Sequence, residues 1–202
     1  MADCVRLALE LGQDIGTQLQ IPVYLYEEAA KRPERKNLAT IRKGEFEGLR
    51  EEIGKNPDRK PDFGPEHIHP TAGATVVGAR WFLVAYNINL ATSDVEIAKK
   101  IARKIRESGG GLPAVKALGL MLADRNIVQV SMNLTNYKIT SMKTVFNTIK
   151  SEAQTLGTEI IESELIGLLP QEALKDTSPQ ELMIANFQPK QIIENRLKEF
   201  FG

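Results

Sequence analysis

The chain has 202 residues, and its 26 lysines and arginines are balanced by 26 aspartates and glutamates. It therefore lacks the basic excess with which nucleic-acid binders neutralise phosphate. Hydrophobic content of 42% is that of a globular protein with room for one or two small cores, no apolar run reaches membrane-spanning length, and a lone Cys4 without a signal-peptide pattern points to a reducing compartment, the cytoplasm.

Residues 3–19 read as an amphipathic helix, with Asp3 as its cap and Val5, Ala8, Leu11, Ile15 and Leu19 as its apolar stripe. Cys4, in the first turn, reads as a small packing residue or a thiolate favoured by the helix dipole. Ile21 to Tyr26 is a strand, apolar or aromatic throughout and so expected to be buried on both faces. Glu27 to Ala30 begins a short helix. Arg32 to Lys36 is a basic loop, read as a solvated run or as an attractor for an anionic ligand tail. A second helix spans 45–53, with Phe46, Leu49 and Ile53 at helical spacing. The polar, proline-broken segment Lys55 to Gly64 reads as a linker and places a boundary between domains 1–63 and 64–202.

The stretch GPEHIHPTAGATVVGARWFLVAYNINL, Gly64 to Leu90, opens as a Gly-, Pro- and His-rich loop and continues as a long apolar strand. From Phe82 the alternation sends Phe82, Val84, Tyr86, Ile88 and Leu90 to one face and Trp81, Leu83, Ala85, Asn87 and Asn89 to the other. Ser93-Asp94-Val95-Glu96 reads as a capping box for a helix reaching Ser108, with Ile97, Ile101 and Ile105 inward. Strands 115–122 and 127–134 follow, joined at Ala123-Asp124-Arg125-Asn126. A helix from Ser141 to Leu156 buries Met142, Val145, Phe146, Ile149 and Ala153, and Glu159 to Leu168 is the last strand. Helices start near Pro170, Pro179 and Pro189.

Residues 74–169 thus read β-α-β-β-α-β, a ferredoxin-like antiparallel sheet with both helices on one face. Asn87, Asn89, Gln129, Ser131 and Asn133 would share the opposite face. The fold class is α+β, an α/β sandwich: a ferredoxin-like C-terminal subdomain preceded by a partial N-terminal α/β subdomain. In that first part a lone strand has no pairing partner, so it reads as the end of a second such unit.

The only histidines, His67 and His69, form a His-x-His pair, but no further cysteine or histidine ligands accompany them, so no metal site is expected. Either could act as a general base, or simply contact ligand or solvent from the loop. Asn87 and Asn89 read equally as substrate-orienting amides or as strand-end residues.

The segment Gly64 to Leu90, together with IPVYLYEEAA, IRKGEFEGL, DRNIVQVSMNL and GLLPQEAL in that order, resembles the glutamate formiminotransferase family of histidine degradation over essentially the whole chain. The resemblance implies transfer of a formimino group from N-formimino-L-glutamate to tetrahydrofolate, a co-substrate, with no metal. It implies a folate-binding loop of Gly64, Pro65, Glu66, His67, Ile68, His69, Pro70, Thr71, Ala72 and Gly73. Arg80, Asn87, Asn89 and Asn133 are candidate substrate contacts, with Lys116 a further candidate for the folate tail. The family's catalytic histidine sits in a Gly-Glu-His-Pro block with no counterpart here, so no catalytic residue is assigned. Roughly a hundred residues, most of a small domain, are expected ahead of this region. The partner expectation is accordingly an upstream N-terminal polypeptide or self-association into a homo-oligomer, with neither nucleic acid nor membrane. The competing reading is a non-catalytic folate- or small-ligand-binding module on the same scaffold. An RNA-binding sheet is disfavoured, because Tyr86 falls on the apolar face and strand 127–134 has no aromatic. Nothing resembles a cyclodeaminase domain.

Overall fold

Small residues decide how the first helix packs. In the computed structural model, which describes residues 1–202, helix α1 (Ala2–Gln18) buries Ala8, Gly12 and Gly16. Leu11 and Leu19 of the expected stripe are instead 53% and 57% exposed. A Cβ on Gly16 would lie 2.6 Å from the Gly64 nitrogen, and one on Gly12 3.3 Å from the Phe63 ring. The helix backbone therefore rides directly on residues 63–64, an approach that a leucine stripe would prevent.

Strand β1 (Val23–Glu27) is buried at Val23, Tyr24 and Leu25, as its uniform apolarity requires. The turn after it, at Glu28 and Ala29, is not the short helix expected there. A single helical turn α2 (Leu38–Ile41), capped by the Asn37 side chain, and helix α3 (Glu45–Glu52) follow. The segment read as a linker instead closes the outer edge of β1. The Val23 N–H donates to the Phe63 carbonyl at 2.9 Å, and the Leu25 N–H donates to Asp62 Oδ2 at 2.8 Å. The same carboxylate oxygen receives Arg35 Nη1 at 2.6 Å, while Arg35 Nη2 donates to the carbonyls of Asp58 and Lys60. Arg35 is thus a buried ion-pair partner, not part of a solvated basic run or a free anion attractor.

The expected strand 74–90 is two strands. β2 (Thr75–Ala79) pairs in parallel with β1, Val23 opposite Thr75 through Glu27 opposite Ala79. Residues 80–83 are irregular, and β3 (Val84–Leu90) then enters a different sheet. The break has a simple cause. The inward residues are odd-numbered in β2 (Val77, Ala79) and even-numbered in β3 (Val84, Tyr86, Ile88, Leu90). A strand of period two cannot change parity without interruption, and Phe82, placed on the inward face by the sequence pattern, is 58% exposed. The chain accordingly divides into units Met1–Trp81 and Phe82–Gly202, not at 63/64. The core of the first unit is Ala8, Val23, Leu25, Ala29 and Val77.

The second unit has the expected βαββαβ order. After β3 come helix α4 (Val95–Ile105), β4 (Val115–Leu122), β5 (Ile127–Leu134), helix α5 (Met142–Thr155) and β6 (Ile160–Ile166). The sheet order β4-β5-β3-β6, antiparallel throughout, is ferredoxin-like. Asp94, not Ser93, caps α4, accepting from the Glu96 N–H. Helix α5 buries the five residues expected of it, and Ser141 caps it. One sheet face and both helices share the large core. Of the expected C-terminal helices only α6 (Ile193–Phe201) is more than one turn long, and none starts at Pro179. Residues 183–185 instead run beside β6, where the Ser163 N–H donates to the Met183 carbonyl and the Ala185 N–H to that of Ser163.

Removing the Asp62 carboxylate would strand a buried guanidinium and the Leu25 N–H. Asp62→Ala is expected to cost the first unit about 3–5 kcal/mol in denaturant unfolding; a loss below about 1 kcal/mol would contradict the ion-pair geometry.

Candidate functional site

Two surfaces carry the residues to which the sequence points, one in each unit. In the first unit the loop 64–73 starts at Gly64, whose φ of +82° suits only glycine and whose missing Cβ leaves room for the Ile21 carbonyl. The loop ends in a tight turn: His69 and Gly73 exchange both backbone hydrogen bonds, at 2.9 and 3.0 Å. His69 Nδ1 accepts the Ala72 N–H at 3.0 Å and the Thr71 N–H at 3.3 Å. That nitrogen carries a lone pair, so the ring proton sits on Nε2, and the imidazole is a turn-builder. His67 is exposed, with Nδ1 3.3 Å from the Ile68 carbonyl. Glu66 pairs with Lys60 at 2.9 Å. Thus Glu66, His67, Pro70, Thr71 and Ala72 stand exposed on a braced loop, while Gly64, also exposed, and Gly73 form its stems.

The ring of Phe46 lies against Gly73. Beside it a slot of about 290 Å³ is lined by Tyr24, Phe46, Leu49, Thr75 and Val76, among others. A more polar cleft of about 620 Å³ is lined by Glu34, Lys43 and Arg59, among others. Burial pushes the Tyr24 phenol up to about 12, and its hydroxyl donates to the Arg59 carbonyl at 2.6 Å. It is a neutral structural donor at physiological pH, not an acid–base group. The slot is mostly apolar, with Arg42 and Glu45 also in its lining, and it lies next to the end of the loop at Gly73.

In the second unit the sheet face turned away from the helices is polar at its centre. Register places Asn87 between Ser131 and Glu164, and Asn89 between Gln129 and Glu162. Asn89 is fully buried. Its Nδ2 donates to Glu162 Oε1 at 3.1 Å and to Glu164 Oε1 at 3.2 Å, and its Oδ1 accepts from Gln129 Nε2 at 2.8 Å. Arg125 Nη1 donates to Glu162 Oε1 at 2.6 Å. The hydrogen bonds from Arg125 and then Asn89 hold the Glu162 carboxyl below its ordinary 4.5. Asn133 is exposed on the same face, opposite Ala85 and Lys116, and Leu118, Leu120 and Ile166 are the exposed apolar rim.

The structure therefore brings Asn87, Asn89 and Asn133 to one face. It leaves Arg80 exposed in the first unit, donating to the Trp81 carbonyl. Sequence reasoning passed over Arg125, Glu162 and Glu164. The alternation in Ile160-Ile161-Glu162-Ser163-Glu164 was the available signal, since residues two apart on a strand share a face. No group of three or more His, Cys, Asp or Glu side chains converges to hold a metal ion, and no helix is long and apolar enough to cross a membrane.

Comparison with known proteins matches two family models in succession: the formiminotransferase domain, N-terminal subdomain, over residues 1–80, and the formiminotransferase domain over residues 85–196. The chain is 50% identical over 196 residues to a glutamate formimidoyltransferase of Streptococcus pyogenes, covering 96% of this chain and 65% of that protein. It is 48% identical over 201 residues to a glutamate formimidoyltransferase of Thermoplasma acidophilum, covering 98% and 66%. With the formimidoyltransferase-cyclodeaminase of Mus musculus it shares 44% identity over 184 residues, covering 88% of this chain and 34% of that one. The chain thus spans just under two thirds of the two microbial relatives.

Two expectations follow from the geometry. Gly64→Ala is expected to destabilise the first unit by about 1–3 kcal/mol through strain and contact with the Ile21 carbonyl. Gly157→Ala, also at positive φ but with nothing within 4 Å of the added methyl, isolates the conformational part alone. Arg125→Ala should raise the Glu162 carboxyl toward 4.5 in a carboxyl-carbon NMR titration. A carboxylate held low contributes stability above its unfolded pKa that is lost as pH falls through its folded one. Wild type and variant should therefore converge in stability below the ordinary carboxylate range, and a Glu162 titration unmoved by the substitution would contradict the pairing.

Proposed function

The chain belongs to the formiminotransferase domain family, and from that premise we propose that it works as part of a folate-dependent transferase moving a formimino group from N-formimino-L-glutamate to tetrahydrofolate. The observation that carries this reading is the succession of both family models along one chain, at about half identity to glutamate formimidoyltransferases. In the reaction, N5 of tetrahydrofolate attacks the formimino carbon and forms a tetrahedral intermediate. Collapse breaks the bond from that carbon to the glutamate nitrogen. A base takes the proton from N5 and an acid returns one to the departing amine, so that 5-formiminotetrahydrofolate and glutamate result.

This chain's residues supply binding and orientation. The braced loop Gly64–Gly73 is the proposed folate contact, presenting backbone and polar groups beside the Phe46 slot. The amides of Asn87 and Asn133, on a face whose carboxylates and arginine are held in place by one another, are the proposed substrate contacts, whereas Asn89, expected from the sequence to be one, is fully buried and partnered by Gln129, Glu162 and Glu164 and serves instead to position those carboxylates. Arg80 is retained only as a surface contact for an anionic tail. The proton shuttle is assigned to a group outside these residues. The free, exposed Cys4 fits a reducing compartment, and the cytoplasm is the proposed location.

One observation favours the second reading, a ligand-binding module without turnover. His69 uses the nitrogen lone pair that a base would need to hold its own turn. A formimino-transfer assay with the purified chain, alongside equilibrium binding of a reduced folate, separates the two. Binding without turnover by the chain alone, with turnover restored by the rest of the domain from a relative, is the expected outcome. Turnover by the chain alone would place the base within it and make His67 the first residue to substitute. Absence of folate binding, even with the domain completed, would refute the assignment of the loop.

A further inference from the structure

We propose that Glu164 sets the specificity of the second unit's polar face: its carboxylate receives the cationic formimino group of N-formimino-L-glutamate, while Asn87 and Ser131 beside it receive the α-carboxylate of the same molecule. The inference rests on the transferase function proposed above and deepens it, since it names the residue that tells this donor from an uncharged analogue.

Strand register sets out the face in rows. One row runs Glu164, Asn87, Ser131, Leu118 across β6, β3, β5 and β4, and the next runs Glu162, Asn89, Gln129, Leu120. Neighbours within a row stand about 5 Å apart, the spacing of paired strands. The two rows differ in how far their polar groups are engaged. In the second, Asn89 and Gln129 are buried and bonded to each other and to the carboxylates. In the first, the Asn87 amide and the Ser131 hydroxyl are half-buried and make no side-chain hydrogen bond. That row therefore presents a carboxylate, an amide and a hydroxyl in line, the last two open to a ligand.

Charge separates the two carboxylates. Arg125 is a single cation beside both, with Nη1 2.6 Å from Glu162 Oε1 but 3.9 Å from Glu164 Oε1. Glu162 is therefore the partner of the arginine. Glu164 is held by neutral donors, Asn89 Nδ2 at 3.2 Å on Oε1 and Gln129 Nε2 at 3.3 Å on Oε2. These donors aim the carboxylate without neutralising it, and they occupy two of its roughly four acceptor positions. Its side chain is 33% exposed, so a ligand can reach the others. A fixed carboxylate without a cation of its own is complementary to a cationic ligand group.

The donor substrate carries such a group. A formimino nitrogen belongs to an amidine, a strong base whose protonated form is planar, with N–H groups on both nitrogens. That fork matches the two oxygens of a carboxylate as a guanidinium does. A formyl group in the same place turns a carbonyl oxygen, an acceptor, toward the acceptors of Glu164. The α-carboxylate of the donor is attached one carbon from the substituted nitrogen, and Asn87 and Ser131, next in the row, offer it an N–H and an O–H.

The test compares N-formimino-L-glutamate with N-formyl-L-glutamate, its uncharged analogue, on the full chain with the rest of the domain supplied from a relative. The wild-type KM for the formimino compound is expected to lie at least about tenfold below the inhibition constant of the formyl compound, the factor that one charge-assisted pair adds. Glu164→Gln should raise that KM about tenfold, with kcat within about twofold and the formyl constant unchanged. Asn87→Ala should weaken both compounds alike, by about threefold or more, because both carry the α-carboxylate. A wild-type enzyme without preference between the two would overturn the assignment, and this comparison needs no variant to fold. So would a Glu164→Gln variant that keeps the preference or loses affinity equally for both. In each of these cases the transferase function stands. Absence of formimino transfer by the completed wild-type enzyme would overturn that function and this assignment together.

Discussion

The first unit depends on one buried carboxylate. Asp62 Oδ2 accepts from the Arg35 guanidinium and from the Leu25 N–H. Three consequences follow from that oxygen. It neutralises an arginine that could not otherwise be buried. It satisfies an edge amide of β1 that has no strand to bond to. It also fixes Phe63 and Gly64 against the sheet, where the Phe63 carbonyl takes the Val23 N–H and Gly16 of α1 meets the Gly64 backbone. The loop 64–73 thus begins at a point held by an ion pair, a strand edge and a helix at once. A braced start of this kind limits the conformational entropy that a loop loses when it closes on a ligand.

In the second unit the corresponding constraint is strand alternation. One parity of β3 and β5 builds the core and the other builds a face of amides flanked by carboxylates. Asn89 shows what this does to chemistry. Its side chain is removed from water but fully partnered, so it stays fixed without an unsatisfied-group penalty. Because Arg125 and Asn89 both stabilise the charged form of Glu162, the face keeps a fixed anionic group at physiological pH. A face of this kind is suited to fixed polar contacts and poorly suited to moving protons, which requires a group titrating near the working pH.

Legibility followed the range of the interactions. Strands 115–122 and 127–134 and the buried positions of α5 were readable because a period of two or 3.6 is a local property. The polar face was readable as a list of Asn and Gln residues, but the partners that give it meaning come from β6 and the 123–126 turn, brought in by topology. Arg35 was misread because its basic neighbours are visible in sequence while Asp62 is not adjacent to it. The stripe of α1 was misread because burial there is set by close backbone approach, which selects Gly12 and Gly16 over Leu11. The break at 80–83 was not legible, because apolar residues stand at both parities there, Val76 with Val77 and Trp81 through Ala85, and only burial separates the inward odd positions of β2 from the inward even positions of β3.

The loop and β2 are mechanically one object. Gly73 closes the loop by its pair of hydrogen bonds with His69, and two residues later the Thr75 N–H is bonded to Pro22. Val76 has its side chain on the slot beside Phe46. Order in β2 is therefore order in the C-terminal stem of the loop, transmitted through Ala74 and Thr75, and a stem fixed in advance loses less conformational entropy in any contact that the loop makes.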